Sequence, residues 1–409
     1  MLKTAAGQSI ATSRTPLASG GEGEVFDIIG QRDKVAKIYF PKNRTNDRFQ
    51  KLSYMVQNPP LKGADQRFQR SVIWPEEILM DSKGNFVGYI MPKVSSGMEL
   101  GYFTVFMRHP KVKSTTWDKL SFRSGPEFFF RRLVACYNLC KAIELIHSKK
   151  EYQLCDLKPS NILIDPTGFV SIIDLDSIQI SSSKAKFPSA LYTPEYTSPE
   201  FIKKQSLNRS VEYDHFSLAI ILYQLLIGVH PFQGILKRDS EAVLTDCIKE
   251  GAFANGNRSG LLSNIPNAHQ VFNYLPKEVQ KAFVQTLDDG HKQPNRRLNA
   301  TEWSRVFKTV IVRNQPQIKQ NQSQFQKVNS QQNPAPIKKV KKAHQSIPPN
   351  PIRVPKVPLP IKQQPIIQRA GLPKAKGLIN PIGGGSMVTP NKLIASTTPL
   401  VSKVNGLII

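Results

Sequence analysis

Hydrophobic and polar residues follow two different spacings along the first three quarters of the chain. Between residues 13 and 94, apolar residues alternate or cluster between Gly-rich turns, as in SGGEGEVFDIIG and DKVAKIYF, which predicts strands. A second strand pair, EEILMDS and NFVGYIMPKV, is joined at Lys83-Gly84-Asn85, and TNDRFQKLSYMVQNPP before it predicts a helix that ends at Asn-Pro-Pro. From Glu127 the spacing becomes helical, in EFFFRRLVACYNLCKAIELIHS. The pattern predicts a small sheet-rich lobe at 13–94 and a larger helical lobe at 95–312.

Residues 313–409 have a different composition, rich in Gln, Asn, Pro and Lys. No Asp or Glu follows Glu302, and the 15 Lys and Arg of residues 311–409 leave +11 of the net charge of +26 to residues 1–310 (26 − 15 = 11). Low hydrophobicity with charge of one sign predicts a disordered tail. Its proline-spaced runs and the basic cluster at 338–342 are candidates for binding proteins or polyanions, although a solvated linker is the simpler interpretation.

Cysteine content and hydropathy bear on the compartment of the protein. The four cysteines form neither a disulfide ladder nor a paired CxxC motif for zinc. The most apolar run, residues 216–228, is too short to span a bilayer, and the N-terminus lacks the apolar region of a signal peptide. We therefore expect a cytoplasmic protein without a transmembrane segment.

Polar residues at fixed spacing follow the long predicted helix. In YQLCDLKPSNILID, Asp156 and Asn161 stand five positions apart with Lys158 between them, and Asp174 ends the apolar run thirteen positions after Asn161. Phosphoryl transfer needs a carboxylate to accept the hydroxyl proton, a lysine near the phosphoryl group, and oxygen ligands for Mg²⁺. Any one of these residues alone is compatible with an ordinary turn. Together they predict catalytic Asp156 and Lys158, with Asn161 and Asp174 as metal ligands.

A Gly-rich turn and a lysine lie upstream, in the predicted sheet. The segment ASGGEGEV fits the phosphate-binding pattern GxGxxGxV except at its first glycine, and Lys37 in VAKI follows 14 residues after Gly23. Such turns are common, and Lys37 taken alone is equally compatible with an exposed strand residue. The combined pattern assigns Gly20, Gly23, Val25, Ala36 and Lys37 to ATP binding.

These motifs, in this order, resemble those of eukaryotic-type (Hanks-type) serine/threonine protein kinases, and in particular the divergent bacterial ones. The segment TPEYTSPE, which contains Thr193 and ends at Glu200, resembles the end of the activation segment. DHFSLA, which begins at Asp214, and the later GVHPF resemble the buried helix that anchors the catalytic loop, and Arg297 resembles the late arginine that pairs with Glu200. The resemblance covers residues 13–310.

The resemblance implies an α+β bilobal kinase fold that uses ATP and Mg²⁺ to phosphorylate protein substrates on serine or threonine. It also implies that Met91 is the gatekeeper, that Val94 contacts the adenine and that Leu163 forms the apolar floor of its pocket. Some similar bacterial kinases are encoded beside PP2C-type phosphatases, which makes such a phosphatase a candidate partner by resemblance only.

The sequence departs from the family pattern before and after the catalytic loop. Leu154 and Cys155 replace a histidine and an arginine, and Leu175 and Asp176 replace the Phe and Gly of DFG. The leucines are expected to pack in the core. Loss of the arginine predicts that activity does not depend on a phosphate at Ser181–Ser183. For Asp176 we consider a local hydrogen bond and, as the simpler alternative, exposure to solvent.

A further departure concerns the acid that normally pairs with the nucleotide lysine. Between Lys37 and Glu76 the chain has only Asp47 and Asp65, and Asp47 at the beginning of the predicted helix is the better candidate. Two alternatives are that the acid comes from elsewhere in the chain or that the pair is absent. In the latter case the chain is a weak pseudokinase that acts as a nucleotide-binding scaffold. A small-molecule phosphotransferase is disfavoured because TPEYTSPE and GVHPF resemble a surface for docking peptides.

Overall fold

The computed structural model describes residues 2–60, 65–121, 126–314 and 394–395. The predicted disordered tail lies outside the described residues, apart from 394–395. In the part of the chain that is described, no helix combines the length and the apolar character needed to cross a bilayer.

The first lobe is built on one antiparallel sheet of seven strands. The sheet has the order β2-β1-β6-β7-β5-β4-β3. Its strands are Leu2–Thr4 (β1), Ser9–Ile10 (β2), Ala18–Ser19 (β3), Gly23–Ile28 (β4), Gln31–Tyr39 (β5), Glu77–Met80 (β6) and Phe86–Pro92 (β7). The predicted hairpin at Lys83-Gly84-Asn85 is confirmed, because β6 and β7 are paired neighbours. β1 and β2 precede residue 13, where the lobe was predicted to begin, and extend the sheet beyond β6.

Two glycines allow neighbouring strands of this sheet to approach closely. A Cβ at Gly88 of β7 would lie 1.9 Å from the carbonyl oxygen of Lys37 on β5. A Cβ at Gly23 of β4 would lie 2.4 Å from the carbonyl oxygen of Ile38. Real Cβ atoms do not approach backbone oxygens so closely, so both positions require glycine. The backbone of Lys37 is thereby fixed against the adjacent strands.

Helix α1 (Asn46–Gln57) confirms the helix predicted between the two strand pairs. Thr45 caps it by accepting a hydrogen bond from the backbone N–H of Arg48, at 3.3 Å. Leu52 and Met55 are buried, and the indole of Trp74 donates to the carbonyl oxygen of Met55 at 2.8 Å. These contacts hold α1 against the sheet.

The second lobe is mainly helical, and its two longest helices are Pro126–His147 (α4) and Val211–Ile227 (α6). Thirteen of the seventeen residues of α6 are buried, which explains why its sequence is apolar on all sides. The helices of the second lobe are Asp118–Ser121 (α3), Pro126–His147 (α4), Pro199–Lys204 (α5), Val211–Ile227 (α6), Leu244–Glu250 (α7), Lys277–Val284 (α8), Gly290–Lys292 (α9) and 300–314 (α10). In the first lobe, the short helix Gln66–Gln69 (α2) precedes β6.

Short strands carry the loops of the second lobe. They pair as β11-β10-β8, β13-β12-β9, β14-β17 and β15-β16. Their ranges are Met98–Glu99 (β8), Tyr152–Gln153 (β9), Ile162–Ile164 (β10), Val170–Ile172 (β11), Gln179–Ser181 (β12), Lys186–Phe187 (β13), Leu191–Tyr192 (β14), Ile235–Leu236 (β15), Leu262–Asn264 (β16) and Ile394–Ala395 (β17). The predicted α+β class, a sheet-rich lobe followed by a helical one, is confirmed.

An ion pair between the buried Arg297 and Glu200 joins the end of the second lobe to α5 near its middle. Two nitrogens of the Arg297 guanidinium donate to the two carboxylate oxygens of Glu200, each at 2.7 Å. Arg297 also donates to the carbonyl oxygens of Gly290 and Glu212, and its guanidinium lies 4.9 Å from the centroid of the Phe216 ring. The predicted pairing of Arg297 with Glu200 is therefore confirmed.

Candidate active site

A carboxylate, an ammonium group and a hydroxyl meet at the catalytic loop. Lys158 Nζ lies 2.8 Å from Asp156 Oδ2. Thr193 Oγ1 donates to Asp156 Oδ1 at 2.6 Å and accepts from Lys158 Nζ at 3.1 Å. The structure thus brings together two predicted catalytic residues with the threonine of the TPEYTSPE segment, 37 positions away.

Asp214 on α6 holds the backbone of this loop. Its carboxylate accepts from the backbone N–H groups of Leu154 at 2.7 Å and Cys155 at 3.0 Å, and it contacts His147 Nε2 at 3.0 Å. Cys155 has a φ of +62°, a left-handed conformation that is costly for a residue with a side chain. The hydrogen bonds from the N–H groups of Leu154 and Cys155 to Asp214 stabilise this conformation. The loop is thus anchored to α6, as the resemblance implied.

The two predicted metal ligands stand at the open end of the β10–β11 hairpin. Asn161 precedes β10 and accepts, at its backbone oxygen, from the N–H of Ile173, the neighbour of Asp174. Asn161 Nδ2 donates to the carbonyl oxygen of Asp156 at 3.0 Å, so its Oδ1 remains an acceptor for a cation. The Asp174 side chain is 41% exposed. One amide and one carboxylate oxygen suit Mg²⁺, which usually takes few protein ligands beside water and phosphate.

The nucleotide lysine has a different partner from the one predicted. Lys37 Nζ lies 2.8 Å from Asp176 Oδ1, 3.0 Å from Asp176 Oδ2 and 2.5 Å from Asp174 Oδ1. Asp47 is exposed in the first turn of α1, so the expectation that it pairs with Lys37 is wrong. The simpler alternative for Asp176, exposure to solvent, is also wrong because Asp176 is only 6% exposed.

Two tyrosines and a second lysine complete the environment of Asp176. The hydroxyl groups of Tyr39 and Tyr89 donate to its carboxylate, the latter at 3.2 Å. Lys51 of α1 donates to the backbone oxygen of Asp176 at 2.7 Å. Lys37 and Tyr39 lie two positions apart on β5, and Lys37 pairs with Tyr89 on β7. The three donors to the Asp176 carboxylate therefore come from neighbouring positions of one sheet.

Burial and charge shift the pKa values of these groups in different directions. Burial opposes the charge of Lys37, but the carboxylates of Asp174 and Asp176 raise its pKa well above the usual lysine value. Burial also opposes the charge of Asp176, yet Lys37 and Tyr39 hold its pKa below the usual aspartate value. Lys51 has weaker compensation, and burial lowers its pKa to about 8. The Lys37–Asp176 pair is therefore fully charged at neutral pH.

The predicted ATP-binding residues occupy the sheet and the segment that follows it. The N–H of Gly20 donates to the carbonyl oxygen of Gly23 at 2.9 Å and closes the Gly-rich turn. Glu22 in this turn pairs with Arg48 of α1 at 2.6 Å. Of the remaining predicted residues, Ala36, Met91 and Leu163 are buried in β5, β7 and β10, whereas Val25 and Val94 are partly exposed. Their contacts with adenine remain predictions.

An arginine that the sequence analysis did not single out connects the catalytic loop to the activation segment. Arg209 donates to the carbonyl oxygens of Cys155 at 2.9 Å, Leu191 at 2.8 Å and Ser189 at 3.2 Å. The guanidinium is buried and lies 4.3 Å from the centroid of the Phe201 ring. It fixes the segment through neutral carbonyl groups, beside the position where Cys155 replaces the family's arginine.

The two leucines of the altered motifs pack in the core, as the sequence predicted. Leu154 and Leu175 are 4% and 2% exposed and belong to the main hydrophobic core. The sequence analysis missed the structural roles of Lys51 and Arg209. No motif marks either one, although Lys51 is a basic residue next to the buried Leu52 of α1, which is a weak signal.

Comparisons with known proteins agree with this arrangement. A sequence profile of the protein kinase domain matches residues 130–306. The chain is similar to Protein kinase YegI of Escherichia coli O157:H7, with 26% identity over 299 residues that cover 70% of this chain and 43% of that protein. It is also similar to Serine/threonine-protein kinase Sgk3 of Rattus norvegicus, with 34% identity over 128 residues that cover 28% of this chain and 25% of that protein. The chain spans less than half the length of either relative.

Proposed function

We propose that this chain is a protein kinase that transfers the γ-phosphate of ATP to serine or threonine residues of protein substrates, with Mg²⁺ as cofactor. The match of a protein kinase domain profile to residues 130–306 and the similarity to Protein kinase YegI support this proposal. The observation that carries this proposal is the contact of Asp156, Lys158 and Thr193 with one another. A kinase that had lost its chemistry would have no need to keep these three groups together.

Each polar residue of the site has a step to perform in this reaction. Asp156 orients the substrate hydroxyl and accepts its proton, and Lys158 stabilises the charge that develops on the transferred phosphoryl group. Asn161 and Asp174 would hold Mg²⁺, which neutralises charge on the β- and γ-phosphates when bound. Lys37 would contact the phosphates from the sheet. The Thr193 contact supports serine or threonine as the acceptor, in line with the resemblance of this segment.

The alternative is a weak pseudokinase that binds nucleotide and recruits partners through its basic tail. That alternative rested mainly on the missing acid for Lys37. Asp176 and Asp174 supply carboxylates at 2.8 Å and 2.5 Å, which supports an active enzyme. A scaffold also has no use for Asp156 as a base, so the two functions differ in their response to its replacement.

The proposed function is tested by phosphate transfer from radiolabelled ATP and Mg²⁺ to a generic protein such as casein. We expect phosphoserine and phosphothreonine in the hydrolysed product, and Asp156→Asn should lower the rate at least about a hundredfold because the proton acceptor is lost. Asp165→Asn, in the turn at the far end of the β10–β11 hairpin, is the matched control. Equal labelling by the wild-type chain and Asp156→Asn would overturn the proposal, as would labelling confined to tyrosine.

We predict that Ser181→Ala/Ser182→Ala/Ser183→Ala changes kcat less than twofold. Arg209 already ties the carbonyl groups of Ser189 and Leu191 in this segment to that of Cys155 in the catalytic loop, so no phosphate is needed to order the segment. The measurement compares kcat of this triple variant with kcat of the wild-type chain before and after a general phosphatase treatment. A loss of about tenfold or more on either comparison would show that a loop phosphate controls the enzyme.

Three further expectations stay predictions of the sequence. They are the cytoplasmic location, a PP2C-type phosphatase partner, and binding of polyanions or proteins by residues 313–409. The last predicts a steep loss of affinity with salt that disappears on removal of the tail.

A further inference from the structure

We propose that Asp176 is the positioning residue for the nucleotide lysine, replacing an acid on helix α1, so that the loop carrying Asp174 also holds Lys37. The inference deepens the proposed function and rests on it for the roles of Lys37 and Asp174. It assigns to Asp176 a specific task in the reaction: it keeps the ammonium group in place while Asp174 binds the metal.

Both oxygens of the Asp176 carboxylate are occupied by hydrogen-bond donors. Lys37 Nζ contacts both of its oxygens, and the hydroxyl groups of Tyr39 and Tyr89 each donate to one of them. A buried carboxylate is costly unless its lone pairs are satisfied, and here one cation and two neutral donors do so. All three donors belong to β5 and β7, so the sheet of the first lobe binds a residue of the second.

Helix α1 places a lysine, and not an acid, beside Asp176. Asp47 is exposed, whereas the inward-facing Lys51 donates to the backbone oxygen of Asp176 at 2.7 Å. The helix therefore contributes a cation where an acid is expected. A lysine in this position cannot pair with Lys37, but it can hold the peptide that carries Asp176. Helix α1 thus holds the loop through Lys51, and the loop holds Lys37 through Asp176.

The two carboxylates beside Lys37 differ in their exposure to solvent. Lys37 Nζ lies close to Asp174 as well as to Asp176, and Asp174 is the more exposed, with 41% of its side chain accessible against 1% for Asp176. A carboxylate that coordinates Mg²⁺ cannot also neutralise the lysine fully. Asp176 remains available for that purpose because it faces the sheet. Loss of Asp176 would leave Lys37 and the metal competing for Asp174.

This competition gives the inference its distinctive test. In the full-length chain, we expect Asp176→Asn to weaken Mg²⁺-dependent binding of a fluorescent ATP analogue about tenfold and to raise the half-saturating Mg²⁺ concentration by a similar factor. Activity should show kcat/KM for ATP reduced at least about tenfold, with KM for the protein substrate unchanged. A merely structural lesion would lower all parameters together and would not selectively change the Mg²⁺ requirement.

Two further variants complete the design. Asp176→Gly introduces the residue of the family pattern and should show the same Mg²⁺ phenotype, which keeps the test valid if one variant folds poorly in thermal unfolding. Asp47→Asn is the matched control on α1 and should leave nucleotide binding and the Mg²⁺ requirement within twofold of wild type. Unchanged Mg²⁺ and nucleotide affinity in folded Asp176→Asn, or the phenotype appearing in Asp47→Asn, would overturn the inference.

The binding measurement separates failure of this inference from failure of the proposed function. A wild-type chain that binds Mg²⁺ and nucleotide but transfers no phosphate would refute the proposed function alone. The role of Asp176 would then be decided by the binding of the analogue, since that readout needs no turnover.

Discussion

Replacing Asp174 with alanine is expected to abolish phosphoryl transfer, with a loss in kcat of at least about a thousandfold. Asp174 is the carboxylate ligand expected for Mg²⁺, and Asn161 beside it supplies only a neutral oxygen. Without the carboxylate, the charge on the β- and γ-phosphates is no longer neutralised in a fixed geometry. Steady-state transfer from radiolabelled ATP to a protein substrate, measured over a range of Mg²⁺ concentrations, checks this expectation.

Asp165→Asn is the matched control for Asp174→Ala. Asp165 lies in the turn at the opposite end of the β10–β11 hairpin, where it accepts hydrogen bonds from Thr167 and Phe169. Its replacement should leave kcat within about twofold of wild type, since it lies at the end of the hairpin away from Asn161 and Asp174. Undiminished transfer by Asp174→Ala at low Mg²⁺ would contradict the metal assignment directly, whereas partial rescue of the variant by high Mg²⁺ would support it.

The second large effect is on stability. Replacing Arg297 with methionine is expected to lower the free energy of unfolding by about 3–5 kcal/mol, because it leaves the carboxylate of Glu200 without its cation and removes donors from buried carbonyl groups. This loss is a large fraction of the 5–15 kcal/mol that stabilises a typical domain. Urea denaturation followed by circular dichroism measures it.

The neighbouring arginine provides the control. Arg296 pairs with Asp289 at 3.0 Å, but its side chain is 51% exposed, so Arg296→Met should cost no more than about 1 kcal/mol. Similar denaturation midpoints for the two variants would show that the Arg297–Glu200 pair is no more important than a surface ion pair. Because Glu200 closes the activation segment, Arg297→Met should also lose transfer activity before it unfolds.

Much of the fold could be predicted from local patterns in the sequence. The helix over Asn46–Gln57 is marked by its Thr45 cap and by the Asn58 that ends it, and the β6–β7 hairpin by its Gly-containing turn. The members of the catalytic loop and the β10–β11 hairpin lie within about twenty residues, so spacing alone places them near one another. The Glu200–Arg297 pair required the resemblance, since 97 residues separate the partners.

The environment of Lys37 could not be predicted in the same way. Its partner Asp176 is 139 positions away and occupies a place where the family pattern has glycine. Whether that aspartate faces solvent or the sheet depends on the register of β5 against β7, which brings Tyr89 opposite Lys37. Lys51 and Arg209 also act at long range, through backbone carbonyl groups that no side-chain motif reveals.

The hydrogen bonds of the buried Arg209 guanidinium bear on how the proposed activity can be regulated. Its three acceptors are peptide groups, present as soon as the chain has folded, so no second enzyme is required to install them and none can remove them. We therefore expect that phosphate groups at Ser181–Ser183 do not change the order of this segment.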